Sequence, residues 1–327
     1  MKTLLVTGCS GFIGSNFCHL YGRKFRIIGV DALTHGSHPK NLSDSISFHQ
    51  IDLRSEEALH QLFQLFKDQS GIDGIINFAA ESHVDHSLAD DSPFWSTNVL
   101  GPRNLAKIAL RSKIRMLQVS TDEVYGSSNG SVPFTEEDRL NPRNPYAASK
   151  ASAELLLNSY REAYGLDVVM TRGSNTLGPR QSPEKLVPKA ILHFIKGSPF
   201  PLFRTPARRM WLSVQDHCRG VLAAFEKGKS GQVYNLSPKE SEEFETSDVV
   251  ERLRSLVGKG EIKLVDDRPG YDLRYLISSR KAREDLGWAP EENFNETLKN
   301  TARWYLNNTD WIESHPDFRH QYPGGVL

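Results

Sequence analysis

Residues 3–14 read "TLLVTGCSGFIG", and this stretch decides the fold. A short uncharged run, Thr3 to Thr7, stops at once against three glycines spaced three apart, Gly8, Gly11 and Gly14. A run this brief, ended by glycine, reads as a buried strand. The residues after it carry apolar side chains at helical spacing and predict a helix over 12–22. Strand, glycine turn and helix in that order make a phosphate cradle. Gly8 permits the tight turn, Gly11 lets a pyrophosphate come close to the backbone, and Gly14 lets helix and strand pack, with the phosphates at the positive helix N-terminus. Glycine spacing alone is weak; an acid at the end of the next strand strengthens it. Asp31 ends "RIIGVD" at the distance expected of a residue that hydrogen-bonds an adenosine ribose. Its charge repels a 2′-phosphate, so the expected dinucleotide is NAD. Asp52, in "IDL" at the end of a third strand, is placed to meet the adenine amino group.

The pattern repeats outward. Apolar runs at 26–30, 46–50, 74–78, 115–119 and 167–171 alternate with helical patterns at 55–69, 92–112 and 147–164. Continuous apolar strands separated by helices predict an α/β fold, a doubly wound parallel sheet of the Rossmann type. Beyond about residue 175 the alternation weakens and proline, glycine and charge become denser. Helices are expected near 246–257 and 294–307. The expected division is 1–175 for the dinucleotide-binding domain and 176–327 for a smaller α/β substrate-binding lobe, interleaved so that some segments return to the first domain. The tail "ESHPDFRHQYPGGVL" has no periodicity and is expected to be loosely ordered.

Composition narrows the class. Lys plus Arg and Asp plus Glu both number 40 in 327 residues, which leaves no electrostatic footprint for nucleic acid or an anionic membrane. No apolar stretch approaches the length of a membrane span, and the N-terminal run is too short for a signal peptide. Cys9, Cys18 and Cys218 are odd in number and lack metal-like spacing, so the expectations are a reducing cytoplasm and no metal site.

Chemistry gathers at "QVSTDEVYG" (118–126) and "NPYAASKASAE" (144–154). The first places Thr121 and two carboxylates, Asp122 and Glu123, at the end of a buried strand, where each charge must be hydrated, paired or protonated. The second places Tyr146 and Lys150 four apart on one helix face. A bland reading of the acid pair is a helix cap. Two carboxyls whose surroundings push their pKa values apart can instead divide labour as acid and base, which is what eliminating water requires.

With the Gly-x-x-Gly-x-x-Gly turn, "YAASK" resembles the extended short-chain dehydrogenase/reductase family. Further motifs, "NFAAESHVDHS" (77–87), "SNTLGPRQSPEKLVP" (174–188), "VYNL" (233–236), "DDRPGYDLRY" (266–275) and "LGWAP" (286–290), are similar to its nucleotide-sugar 4,6-dehydratase subgroup. That resemblance implies deoxysugar biosynthesis on a nucleotide-hexose, dTDP-glucose first. Tyr146 would deprotonate the 4-hydroxyl, with Thr121 orienting it and NAD taking the C4 hydride. Glu123 would remove the C5 proton while Asp122 protonates the departing C6 hydroxyl, and the hydride would return to C6. The resemblance adds Phe12, Ile13, Leu53, Ala79 and Ala80 to the cofactor contacts. It assigns His83, Asn175, Lys185, Leu186, Arg209, Asn235 and Arg268 to the substrate, and implies a homodimer joined by a four-helix bundle from 92–112 and 147–164. Met210, Tyr271, His86 and the pair Ser237-Pro238 depart from the subgroup's pattern, all on the nucleotide-sugar side. An epimerase, a decarboxylase, a 5,6-dehydratase and a non-catalytic NAD-binding regulator remain as alternatives.

Overall fold

In the computed structural model, which describes residues 1–69 and 71–321, the first strand sorts its side chains by alternation. Leu4 and Val6 of β1 (Thr3–Thr7) enter one apolar cluster and Leu5 enters another, all fully buried. A strand buried on both faces must be covered by a layer on each side, and the central strands of this sheet obey the same rule, while the edge strand Ile46–Gln50 is only partly buried. The strands that follow are β2 (Arg26–Asp31), β3 (Ile46–Gln50), β4 (Ile72–Asn77), β5 (Arg115–Thr121), β6 (Val168–Gly173), β7 (Asn175–Leu177), β8 (Phe200–Phe203), β9 (Arg208–Ser213), β10 (Val233–Leu236), β11 (Glu243–Glu245) and β12 (Ile262–Val265). Seven form one parallel sheet in the order β10-β6-β5-β4-β1-β2-β3. The chain reverses direction of travel between β1 and β4, and the crevice beyond their carboxyl ends is where such sheets hold ligands.

Helices Glu56–Asp68, Gly101–Ser112 and Pro145–Tyr164 cover the Leu5 face. The other face is covered by Phe12–Tyr21 and by Val214–Lys227, which comes back from the C-terminal half, as does the edge strand β10. The rest of that half builds two small sheets, β11-β9-β7 and β12-β8, around a third apolar cluster that includes Phe194, Trp211 and Leu298.

Two expectations need correction. The pattern at 92–112 is not one helix: Ser92–Trp95 passes through a π-turn, Ser96–Leu100, into Gly101–Ser112. Pro102 has no N–H to offer the carbonyl one turn earlier, so the ladder changes register there. The tail is also ordered as far as it is described, in helices Thr309–Ser314 and Pro316–Gln321. Trp311, His315 and Phe318 are buried, and the Trp311 indole donates to Asn41 at 2.8 Å, fastening the tail to the loop after β2. The expectation for 322–327 lies outside the described residues.

Candidate active site

The glycine turn is dictated by space. Gly8 has φ +68°, and a Cβ there would lie 2.6 Å from the Ala79 nitrogen. A Cβ on Gly14 would sit 2.1 Å from the Gly8 carbonyl oxygen. Gly11 differs: its nearest obstruction would be 3.4 Å away, an ordinary contact, so the protein's own packing does not demand glycine. What its missing side chain leaves open is the approach to the N-terminus of helix Phe12–Tyr21, which has no acidic residue in its first turn. That is the cradle a diphosphate fits. Asp31 accepts hydrogen bonds from the amides of Ser10 (2.9 Å) and Leu33 (2.8 Å), which fixes its carboxylate at the rim of the cavity. Asp52 is gripped by the Arg54 guanidinium, which holds its carboxyl below the usual range. Phe12, Ile13, Leu53, Ala79 and Ala80 line the same cavity, and Tyr146 and Lys150 also reach it.

At the carboxyl end of β5 the buried strand runs directly into a 3₁₀ turn, Asp122–Tyr125. Thr121 is its cap, accepting from the Glu123 amide at 3.3 Å, so the two acids are not needed as capping groups. Asp122 is buried, and one carboxylate oxygen has no hydrogen-bond partner among the described residues. Burial first, and the neighbouring Glu123 charge second, push it up to about 8. Its partner is differently placed. Glu123 is half-buried, and its carboxylate faces the Asn144 amide (3.3 Å) and the Tyr275 hydroxyl (3.2 Å). The environments of two adjacent carboxyls are thus unequal, as a divided acid and base require.

Asn144 caps helix Pro145–Tyr164 and so sets the direction in which Tyr146 and Lys150 project. Burial and the Glu123 charge raise the Tyr146 phenol above its ordinary range, while a hydrogen bond with Thr121 pulls the other way. Lys150 donates to the Val119 carbonyl at 2.7 Å, and burial lowers its ammonium to about 8. A cationic nicotinamide ring bound here would supply the charge that makes the phenol a better acid. Asn98, in the π-turn, accepts from the Glu81 amide and donates to both the Glu81 carbonyl and the Ser149 hydroxyl, locking the cavity wall to the catalytic helix.

The substrate assignments separate. Lys185 lines the cavity, with its ammonium on the Ser82 carbonyl at 2.8 Å; Leu186 begins the next helix, and His83 sits beside Ser82. Arg268 pairs with Asp85, and the Asn175 side-chain oxygen is buried without a partner among the described residues. Two residues are spent elsewhere. Arg209 is buried, donates to the carbonyls of Arg208 and Asp272, and lies 4.4 Å over the Tyr275 ring. Asn235 is fully buried, with its amide on Tyr125 and Phe134, so its side chain does not reach the cavity. Met210 packs in an apolar cluster with Tyr125 and Ile277, which accounts for the missing acid there. Sequence reasoning missed Asn144, whose signal was a capping residue before Pro145, and Tyr275, which sits in a quoted motif but carried no chemistry of its own.

A glycine cradle at the switch point of a doubly wound sheet, with a Tyr/Lys helix beside it, defines a dinucleotide-dependent protein of the short-chain dehydrogenase/reductase type. A family model described as GDP-mannose 4,6 dehydratase matches residues 5–301, and the chain belongs to that family. It is 40% identical, over 94% of its length and 99% of the relative's, to a low-salt glycan biosynthesis protein of Haloferax volcanii. It is 38% identical to a dTDP-glucose 4,6-dehydratase of Streptomyces griseus, covering 95% of this chain and 96% of that one. The solved dTDP-glucose 4,6-dehydratase of Streptomyces venezuelae, crystallised with NAD bound, superposes with a TM-score of 0.89 at 36% identity, covering 95% and 99% of the two chains. The fold and family expected from the motifs hold. Among the described residues no helix is long and apolar enough to cross a membrane.

Proposed function

We propose that this protein is an NAD-dependent nucleotide-sugar 4,6-dehydratase, with dTDP-glucose as the first substrate to test. The observation that carries the reading is the Asp122-Glu123 pair, one carboxyl buried and raised to about 8, the other half-buried, beside Tyr146 and Lys150. Tyr146 takes the proton of the sugar 4-hydroxyl, held by Thr121. NAD, when bound, would accept the C4 hydride and give it back to C6, with Glu123 returning its proton to C5. The 4-ketone acidifies C5–H, Glu123 removes that proton, and Asp122 protonates the departing C6 hydroxyl. One water leaves and no redox equivalent is consumed, so the net reaction is a lyase reaction. Incubation with a panel of nucleotide-hexoses should give one product lighter by a single water, and denatured protein should release NAD. An epimerised product of unchanged mass, a ketone lighter only by two hydrogens, or release of NADP overturns the reading.

The acid's titration sets a pH dependence. A carboxyl can donate only while protonated, and Asp122 is raised from 3.8 to about 8, so the donor form persists through neutrality and is lost as pH rises through about 8. Single-turnover water loss, measured relative to nicotinamide reduction, should therefore fall above that pH. Asp122→Asn should abolish the falling limb. A limb that survives the substitution assigns it to another group.

We further propose a homodimer pairing helices Gly101–Ser112 and Pro145–Tyr164 about a two-fold axis. Leu155 and Tyr164 are 65% and 67% exposed there, an unusual allocation of apolar surface unless something covers it. Light scattering should give twice the 36.8 kDa chain mass, and Leu155→Arg should give one chain mass. A native protein that is monomeric at all concentrations rules the pairing out. The compartment that fits three free, buried cysteines is the reducing cytoplasm.

A further inference from the structure

We propose that His35, His83, His86 and Glu184 form a binding site for one divalent transition-metal ion of the zinc class, where the loop after β2 meets the C-terminal lobe. One ligand atom each from His35, His86 and Glu184 lies within 4.8 Å of the others. Around Glu184, the His35 Nε2 stands at 2.9 Å, the His83 Nε2 at 3.7 Å and the His86 Nε2 at 3.8 Å. A tetrahedral ion with bonds of about 2.0–2.2 Å holds its ligand atoms roughly 3.3–3.6 Å apart, so these separations bracket the required spacing. Ligand atoms of the cluster lie up to 4.8 Å apart, so rotation of the histidine side chains by about an ångström brings them to that spacing.

Support behind the ligands is already in place. The other nitrogen of His35, Nδ1, lies 3.1 Å from the Asp317 carboxylate, which in turn accepts the Ser182 hydroxyl at 2.6 Å. A carboxylate behind a histidine is how metal-bound imidazoles are usually oriented. His83 leads and His86 lies in the short helix Val84–Ala89, with ring centroids 4.3 Å apart, and His86 also meets His35 at 4.5 Å. An ion pair explains only part of this arrangement. A single imidazolium at His35 would satisfy both Glu184 and Asp317, and two further rings aimed at the same carboxylate add nothing to it. Three imidazoles converging on one carboxylate are accounted for by a shared ion. Such an ion would clamp four segments together: the loop after β2, the Val84–Ala89 helix, the 182–185 loop and, through Asp317, the tail.

The test uses the full chain, stripped of metal with a chelator and desalted. Titrated with Co²⁺ as the probe, it should bind one ion per chain, develop the visible d–d absorption of a four-coordinate site, and lose that band to one equivalent of Zn²⁺. Zn²⁺ should also raise the melting temperature. His86→Gln, at a side chain 47% exposed, should keep the parent's circular dichroism and bind roughly tenfold or more weakly. His35→Gln should lose the absorption band as well. Calorimetry showing no saturable one-to-one binding in the micromolar range overturns the site. So does binding that neither substitution alters.

Discussion

Glu123→Gln protein given a nucleotide-hexose substrate should oxidise it at C4 and then stall. The amide keeps the shape of the carboxylate and can still meet Asn144 and Tyr275, so the pocket should persist. What it cannot do is take a proton from C5. Tyr146 and Lys150 are untouched, so nicotinamide reduction should proceed, and its absorbance should persist because no C5–C6 alkene forms to take the hydride back. A positioned base contributes about 10²–10⁴-fold, and water loss should fall by roughly that factor. Asp122→Asn should show the same uncoupling, by loss of the proton that escorts the hydroxyl. Tyr146→Phe should fail a step earlier, with no absorbance change. Stopped-flow absorbance together with mass detection separates the three. Full water loss in Glu123→Gln would show that the carboxylate is not the base and would return the pair to a structural role.

The largest stability effect is expected one helical turn beyond Lys150. Glu154 and Arg172 are both buried and paired at 2.6 Å, with the Ser120 hydroxyl on Glu154 and the Tyr125 hydroxyl 2.6 Å from the guanidinium. Glu154→Gln leaves that guanidinium buried without a counter-charge, a change that costs about 3–5 kcal/mol. Replacing both partners, as Glu154→Leu with Arg172→Met, should cost far less, since no lone charge remains. Urea denaturation should rank the single variant well below the double one. A single variant within about 1 kcal/mol of the parent would show that water reaches the site. The network also bears on catalysis: Ser120 adjoins Thr121, and the charge of Glu154 opposes the lowering of Lys150.

Much of this was legible because it is local. The glycine turn, the run lengths of β1 to β6 and the helices at 246–257 and 294–307 are encoded within ten or twenty residues, and the structure places them within about two residues of expectation. The acid pair stood out for a physical reason, since two charges at a buried strand end need a purpose. What escaped depends on distant partners. The tail has no period because its buried residues meet separate distant partners, His315 against His38, Asp317 with Ser182 and Phe318 under Lys196, rather than lining one helix face. Asn235 looked like a ligand contact because a motif shows a residue type and not which way it points. The histidine cluster draws on positions 35, 83, 86 and 184, and no spacing in the chain announces it.

The return of Val214–Lys227 and β10 to the sheet has a consequence during synthesis. A ribosome that has delivered residue 175 has produced six strands of the seven, with one face still uncovered over much of its area. Leu117 and Val169 then await a helix that ends some fifty residues later. At about 5–20 residues per second that interval is roughly 3–10 s. Throughout it the nascent chain presents a broad apolar sheet to its surroundings, which makes it a natural client for chaperones. A truncated product ending near residue 175 would keep that face permanently and should aggregate rather than fold.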